Sequence, residues 1–90
     1  MNMSRHAARR CQQRAIPSLV VELVLRFGQR EKAPGGVAKV FLTKADRRQL
    51  LSYAGPLGSA LEQHLDIYLV LGDDDRVVTA AHRLDRIQRH

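Results

Sequence analysis

Ninety residues are enough for one domain with a single modest core and too few for two. With 44% apolar and 27% charged residues the chain reads as an ordinary folded protein, and the absence of Trp leaves its core to Leu, Val, Ile and Ala. Fifteen Lys and Arg against nine Asp and Glu give a net +6, which favours an anionic partner such as nucleic acid and says nothing about fold.

Ser4 is a good N-cap, and the pattern behind it predicts a helix over residues 5–15. Ala7, Cys11 and Ala15 fall at i, i+4 and i+8 as a narrow buried stripe, with His6, Arg10 and Arg14 as the stripe beside it. An acid-free, arginine-rich start resembles an organellar transit peptide in composition, but the segment is needed as a helix of the folded unit. Cys11 is the single cysteine, so no internal disulfide forms and the expected compartment is a reducing one, the cytoplasm. Its expected place is a small buried side chain.

Ile16-Pro17 interrupts, and Pro17 suits the first turn of a second helix over residues 17–27. Leu19, Val20, Leu23, Val24 and Phe27 form its apolar stripe, and Glu22 and Arg26 are spaced to pair on the wet side. The apolar run over residues 19–25 is broken by Glu22 and too short to span a bilayer, and no apolar stretch follows Met1 to act as a secretory signal. No membrane association is expected. Gly28 is the expected left-handed stop of this helix. Residues 29–36 read as a polar loop closed by Pro34-Gly35-Gly36, and residues 37–42 as a strand. Ala38, Val40 and Leu42 share one face of that strand, Val37, Lys39 and Phe41 the other.

Thr43 to Asp46 has the spacing of a capping box, with Asp46 in place of the usual Glu, and starts a helix over residues 44–54 that ends at Gly55-Pro56. A further helical stretch over residues 57–65 carries Leu57, Leu61 and Leu65. Residues 67–71 form a continuous apolar strand, Gly72 to Asp75 a turn, and residues 76–82 the return strand of a hairpin. The basic tail, residues 83–90, has the spacing of a short helix through Leu84 and Ile87. The predicted class is α+β: two N-terminal helices and a middle helical segment packed on a three-stranded antiparallel sheet, as one domain over residues 1–90.

Four histidines are scattered without helical pairing and only one cysteine is present, so no metal signature exists and no cofactor is expected. Asp73-Asp74-Asp75 lacks the calcium-loop pattern and suits a solvated turn. Gly35-Gly36 precedes a strand rather than a helix, which excludes a phosphate loop of the usual kind. What remains is a set of basic residues with histidines: His6, Arg10 and Arg14 from the first helix, Lys44, and Thr79, His82 and Arg83 from the last strand and its exit. Metal-free RNA cleavage needs a base for the 2′-hydroxyl proton, an acid for the leaving oxygen and cations for the phosphorane. Two histidines can fill the first two roles and arginines the third.

The segments "RHAARRCQQRAI", "VVELVLRFG", "KVFLTK" and "IYLVLGDDDRVVTAAHR" together resemble a group of small bacterial domain-of-unknown-function proteins that open with a His-Ala helix and close on Thr-x-x-His-Arg. That group in turn resembles the barnase–EndoU–colicin–RelE superfamily, which includes metal-independent ribonuclease toxins with helices packed on an antiparallel sheet. The residues carried by this likeness are His6, Arg14, Gly36, Phe41, Lys44, Thr79, His82 and Arg83, of which Gly36 and Phe41 suit structural roles. The chain departs from the pattern at Ala15, where Gly is common, and at Thr43, where an acid usually precedes the lysine. Together the basic set and the resemblance imply a toxin-like ribonuclease using His6 and His82, with Arg14, Lys44, Thr79 and Arg83 from the resemblance and Arg10 from the helix stripe on the RNA. An acidic neutralising protein is expected as a further partner. The alternative is a binding module for nucleic acid or an acidic protein, without turnover.

Overall fold

The computed structural model describes residues 2–83, so the tail helix expected after Arg83 lies outside the described residues. Two helices, α1 (Arg5–Gln13) and α2 (Ser18–Phe27), lead into a hairpin of β1 (Gln29–Ala33) and β2 (Val37–Phe41). A helical layer follows, α3 (Lys44–Ala54), a 3-10 turn and the short α4 (Gly58–Glu62), and then the hairpin of β3 (Ile67–Leu71) and β4 (Val77–His82). The α+β class is as the patterning predicts, but the sheet has four antiparallel strands in the order β1-β2-β3-β4 rather than three. The extra strand is β1, read from sequence as loop. It pairs residue for residue with β2, from Gln29 opposite Phe41 to Ala33 opposite Val37. As an edge strand it is held mainly by backbone pairing to β2, and Gln29, Arg30, Glu31 and Lys32 are all exposed. A strand with no buried face has no hydrophobic alternation to read.

The core lies on one side of the sheet. Val40, Leu42, Ile67, Leu69, Leu71, Val77 and Ala80 are buried from the strands, against Val20, Val21, Leu23 and Val24 of α2 and Leu50 of α3. The apolar stripe of α2 is thus rotated from the one expected: Val21 is inside, and Leu19 is 51% exposed. Arg26 does not pair with Glu22 but lies over the Tyr53 ring, 5.3 Å from its centroid. Of the Leu57, Leu61, Leu65 series, Leu57 is exposed, Leu61 partly buried and only Leu65 fully buried, because α4 stops at Glu62 and Leu65 enters the core from the turn after it.

Three chain reversals explain the element ends. α1 stops at Gln13, two residues before the predicted end, and Ala15 is exposed with φ +54° rather than buried on the helix stripe. The Ile16 N–H donates to the Cys11 carbonyl at 2.8 Å and the Ala15 N–H to the Gln12 carbonyl at 3.4 Å, the paired bonds of a Schellman stop. Gly28 is not the left-handed stop predicted, since its φ of −79° and ψ of 168° are ordinary extended backbone. Glycine is needed there for space: a Cβ would stand 2.5 Å from the Val24 carbonyl oxygen and 2.9 Å from that of Phe41. α3 begins with the capping box as predicted. Thr43 Oγ1 accepts from the Asp46 N–H at 3.1 Å and Asp46 Oδ2 accepts from the Thr43 N–H at 3.0 Å. Gln29 Nε2 donates to the other carboxylate oxygen, which ties the start of β1 to the start of α3.

Candidate nucleic-acid interface

α1 is fixed against β4. The Val77 N–H donates to the Asn2 carbonyl at 2.9 Å and the Ser4 N–H to the Val77 carbonyl at 2.8 Å, so residues 2–4 extend the sheet by one parallel bridge before the helix begins. Ser4 Oγ then caps the helix by accepting from the Ala7 N–H. Ala7 and Cys11 are buried, and their small side chains, with Ala80 on the strand, let α1 lie close beside β4. Burial pushes the Cys11 thiol pKa above its ordinary value, which keeps it in the neutral form.

Ala80 pairs with Leu69 between two hydrogen-bonded pairs, so its carbonyl points away from β3. Arg14 Nη1 donates to that carbonyl at 3.2 Å and covers part of an open strand edge. Arg14 is therefore a bridge between helix and sheet as well as a cation. Arg10 Nε donates to His6 Nε2 over a long 3.4 Å, with the ring acting as acceptor. His6, Arg9, Arg10 and Gln13 line a depression of about 240 Å³ on the outer side of α1. Among the described residues the salt bridges are Arg30–Asp75 and Arg47–Asp66, and neither involves α1. The helix also has no acid in its first turn. Its arginines thus present uncompensated positive charge, and Arg9, not singled out by the sequence stripe, belongs with them.

The remaining site residues gather elsewhere. Arg83 Nη1 donates to the Leu42 carbonyl at 2.9 Å, and its guanidinium lies over the Phe41 ring at 5.3 Å. Lys44 begins α3, two residues beyond Leu42, and is exposed. His82 is exposed and faces Ile67 across the hairpin, while Thr79 faces Val70 and is half-buried. Lys44, His82 and Arg83 thus collect at one end of the sheet, with Arg14 beside them at Ala80.

His6 is not brought to that end. α1 starts at Val77, the first residue of β4, and runs alongside the strand. His6 has advanced only two residues from Ser4, about 3 Å at the helical rise. His82 stands five residues along the strand from Val77, about 16 Å at the strand rise. The two histidines are separated by on the order of 13 Å along the shared axis, whereas an acid and a base acting on one phosphate must each reach it by hydrogen bond. The arrangement supplies two cationic regions along one helix–strand unit rather than one acid–base pair.

The other face of the sheet, away from the helices, was not part of the sequence-predicted site. In register across β2, β3 and β4 it carries two rows: Phe41, Tyr68 and Ala81, and Lys39, Val70 and Thr79. Lys39 Nζ sits over the Tyr68 ring, 4.8 Å from its centroid. The signal for this face was the alternation of residues 37–42, which set Lys39 and Phe41 opposite Val40, and a lone tyrosine in an otherwise aliphatic strand.

Among the described residues no three His, Cys, Asp or Glu side chains come together to hold a metal ion. No helix among them is long and apolar enough to cross a membrane. Comparison with protein-family models, with curated proteins and with solved structures gives no match.

Proposed function

We propose that this chain is an RNA-binding protein of the cytoplasm, whose α1 face grips phosphates and which does not itself cleave the strand. The observation that carries this reading is the outer face of α1, where Arg9 and Arg10 flank His6 around one depression with no acidic partner among the described residues. Arginine presents several donors to a phosphate in a fixed plane, and its charge persists at every physiological pH. Arg14 and the Lys44, His82 and Arg83 end of the sheet continue the positive surface along the same edge. Cleavage by His6 and His82 is the less supported reading, because their separation along the α1–β4 axis leaves no single position from which a phosphate meets both.

The test is a salt titration. Affinity for a single-stranded RNA of about 12 nucleotides should fall steeply between roughly 50 and 200 mM salt, since each neutralised phosphate releases counterions. Changing Arg9 and Arg10 together to Ala should weaken binding and reduce the slope of log affinity against log salt by about 2. No binding at low salt would refute the proposal. Cleavage of the RNA by the wild-type chain that is lost in both His6→Ala and His82→Ala would restore the ribonuclease reading.

A further inference from the structure

We propose that the open face of the sheet is a platform for single-stranded RNA, on which one base stacks against the Tyr68 ring while Lys39 swings from that ring to the neighbouring phosphate. The inference rests on the RNA-binding reading above and names the form of RNA that the surface takes.

Among the described residues the helices cover one side of the sheet only. The buried strand residues Val40, Leu42, Ile67, Leu69, Leu71 and Ala80 face them, and Lys39, Phe41, Tyr68, Val70, Thr79 and Ala81 face the other way, half-buried or exposed. A face with two aromatic rings and a cation over each is suited to stack bases and hold the phosphates between them. The two rings are not equivalent. Above Phe41 lies Arg83, whose guanidinium is also held by the Leu42 carbonyl, so that ring is covered. Above Tyr68, among the described residues, lies the end of Lys39, an exposed side chain with no second contact to hold it there. A stacked base gains more than an exposed cation–π contact gives, so the base displaces the ammonium, which then lies within reach of the phosphate.

Position and charge favour an RNA strand over other occupants. Tyr68 is on a central strand, and its neighbour on the β4 side is Ala81, so nothing bulky separates the ring from the strand edge where α1 lies. A chain held by the α1 arginines therefore reaches the Tyr68 ring by crossing Thr79 and Ala81. Of the carboxylates near this face, Glu31 is on the far edge strand beyond Lys39, and Asp66, two residues before Tyr68, is neutralised by its salt bridge to Arg47 at 3.0 Å. Duplex RNA keeps its base faces inside the helix and cannot use the ring.

The chain has two tyrosines and no tryptophan, which makes Tyr68 directly observable. Tyr53 lies on the helical side, 63% exposed and tilted against Phe27, and replacement by Phe keeps its ring. In the Tyr53→Phe protein the tyrosine emission then comes from Tyr68. Titration with single-stranded RNA at low salt should quench that emission, and the duplex of the same sequence should not. In the otherwise unchanged chain, Tyr68→Ala should weaken single-strand binding about tenfold and leave duplex binding unaltered, while Tyr68→Phe keeps full affinity. Arg9 and Arg10 replaced by Ala should lower the affinity yet preserve the quench at saturation. Binding without quenching, equal affinity for duplex and single strand, or a Tyr68→Ala protein that binds as well as the parent would overturn the platform and leave the RNA-binding reading standing. Tighter binding and quenching by polyglutamate than by RNA would assign the face to an acidic polypeptide and overturn it too. Failure to bind any RNA would overturn both readings.

Discussion

Replacing Gly28 with Ala adds one methyl group at the junction of α2 and β1, and the structure says where it would go. It would stand 2.5 Å from the Val24 carbonyl oxygen, 2.9 Å from the Phe41 carbonyl oxygen and 3.0 Å from Val40 Cγ1. Ordinary contact for such atoms is about 3.5 Å or more, and two of the three obstacles are backbone. The Val24 carbonyl accepts the hydrogen bond that closes α2, from the Gly28 N–H at 2.8 Å, and Phe41 ends β2, an inner strand paired there with both Gln29 and Tyr68. Neither can yield without opening a hydrogen bond or shifting β2. Overpacking of this kind costs about 1–3 kcal/mol, and the rigid neighbours place this site at the upper end of that range. For a domain of this size each kcal/mol moves the melting temperature by about 4–8 °C, so a fall on the order of 10–20 °C is expected. The backbone angles at Gly28 are accessible to alanine, so strain in φ contributes nothing and the cost is steric alone. Urea unfolding followed by far-UV circular dichroism measures it directly. A Gly28→Ala protein as stable as the parent would show that α2 does not approach the sheet as closely as described.

Ala15→Gly should act in the opposite direction. Ala15 holds a left-handed φ that costs an L-residue about 1–2 kcal/mol, while glycine loses about 0.4–1 kcal/mol through its freer unfolded chain, so a net gain of about 0.5–1 kcal/mol and a rise of a few degrees in melting temperature are expected. A lower melting temperature would count against the Schellman geometry. Asp46 carries a pH dependence. The Thr43 backbone hydrogen bond, with those from Gln29 and the Thr43 hydroxyl, holds its carboxyl pKa below the ordinary value against the opposing effect of burial. Its stabilisation is therefore fully present above the unfolded carboxyl pKa near about 4 and is lost as pH falls through the lower folded value. Asp46→Asn should flatten the stability profile across that acid window, and an unchanged profile would remove the capping box from the stability account.

Much of the fold was legible because burial writes a period into sequence. Ala38, Val40 and Leu42 alternate as a strand must, and the apolar run of β3, five residues long and followed by a turn and a second run, reads as one strand of a hairpin. The capping box was legible because Thr43 and Asp46 interact within four residues. What escaped notice lacked a local signature. β1 is held by backbone pairing to β2, so its residues carry no pattern. The outward turn of Leu19 depends on which side of α2 meets α3, a tertiary fact. For the site, a histidine-and-arginine inventory located the charged surface but could not tell that α1 starts at the opposite end of β4 from His82. Arg9 was legible, since it stands three residues from His6 on the same helix face, and it was missed because the stripe was drawn at every fourth residue alone. The open sheet face was half-legible: the alternation separated Lys39 and Phe41 from the core, yet only the four-strand register sets them beside Tyr68.

The contact between Arg14 and the Ala80 carbonyl joins residues 66 apart in sequence, and the Ser4–Val77 bond spans a comparable distance. During synthesis α1 leaves the ribosome well before the strand it rests on, with the first hairpin and the helical layer between them. The helix must then wait, solvated and strongly cationic, through the assembly of both hairpins. Closing so long a loop is the slow, late part of folding, after the more local strand pairs have formed. A nascent chain halted before β4 would therefore expose Ala7, Cys11 and the edge of β3 together, next to arginines with no sheet to dock on. Such a chain presents to a chaperone a basic segment beside an unpaired apolar strand, and its solubility during translation depends on how quickly residues 77–82 arrive.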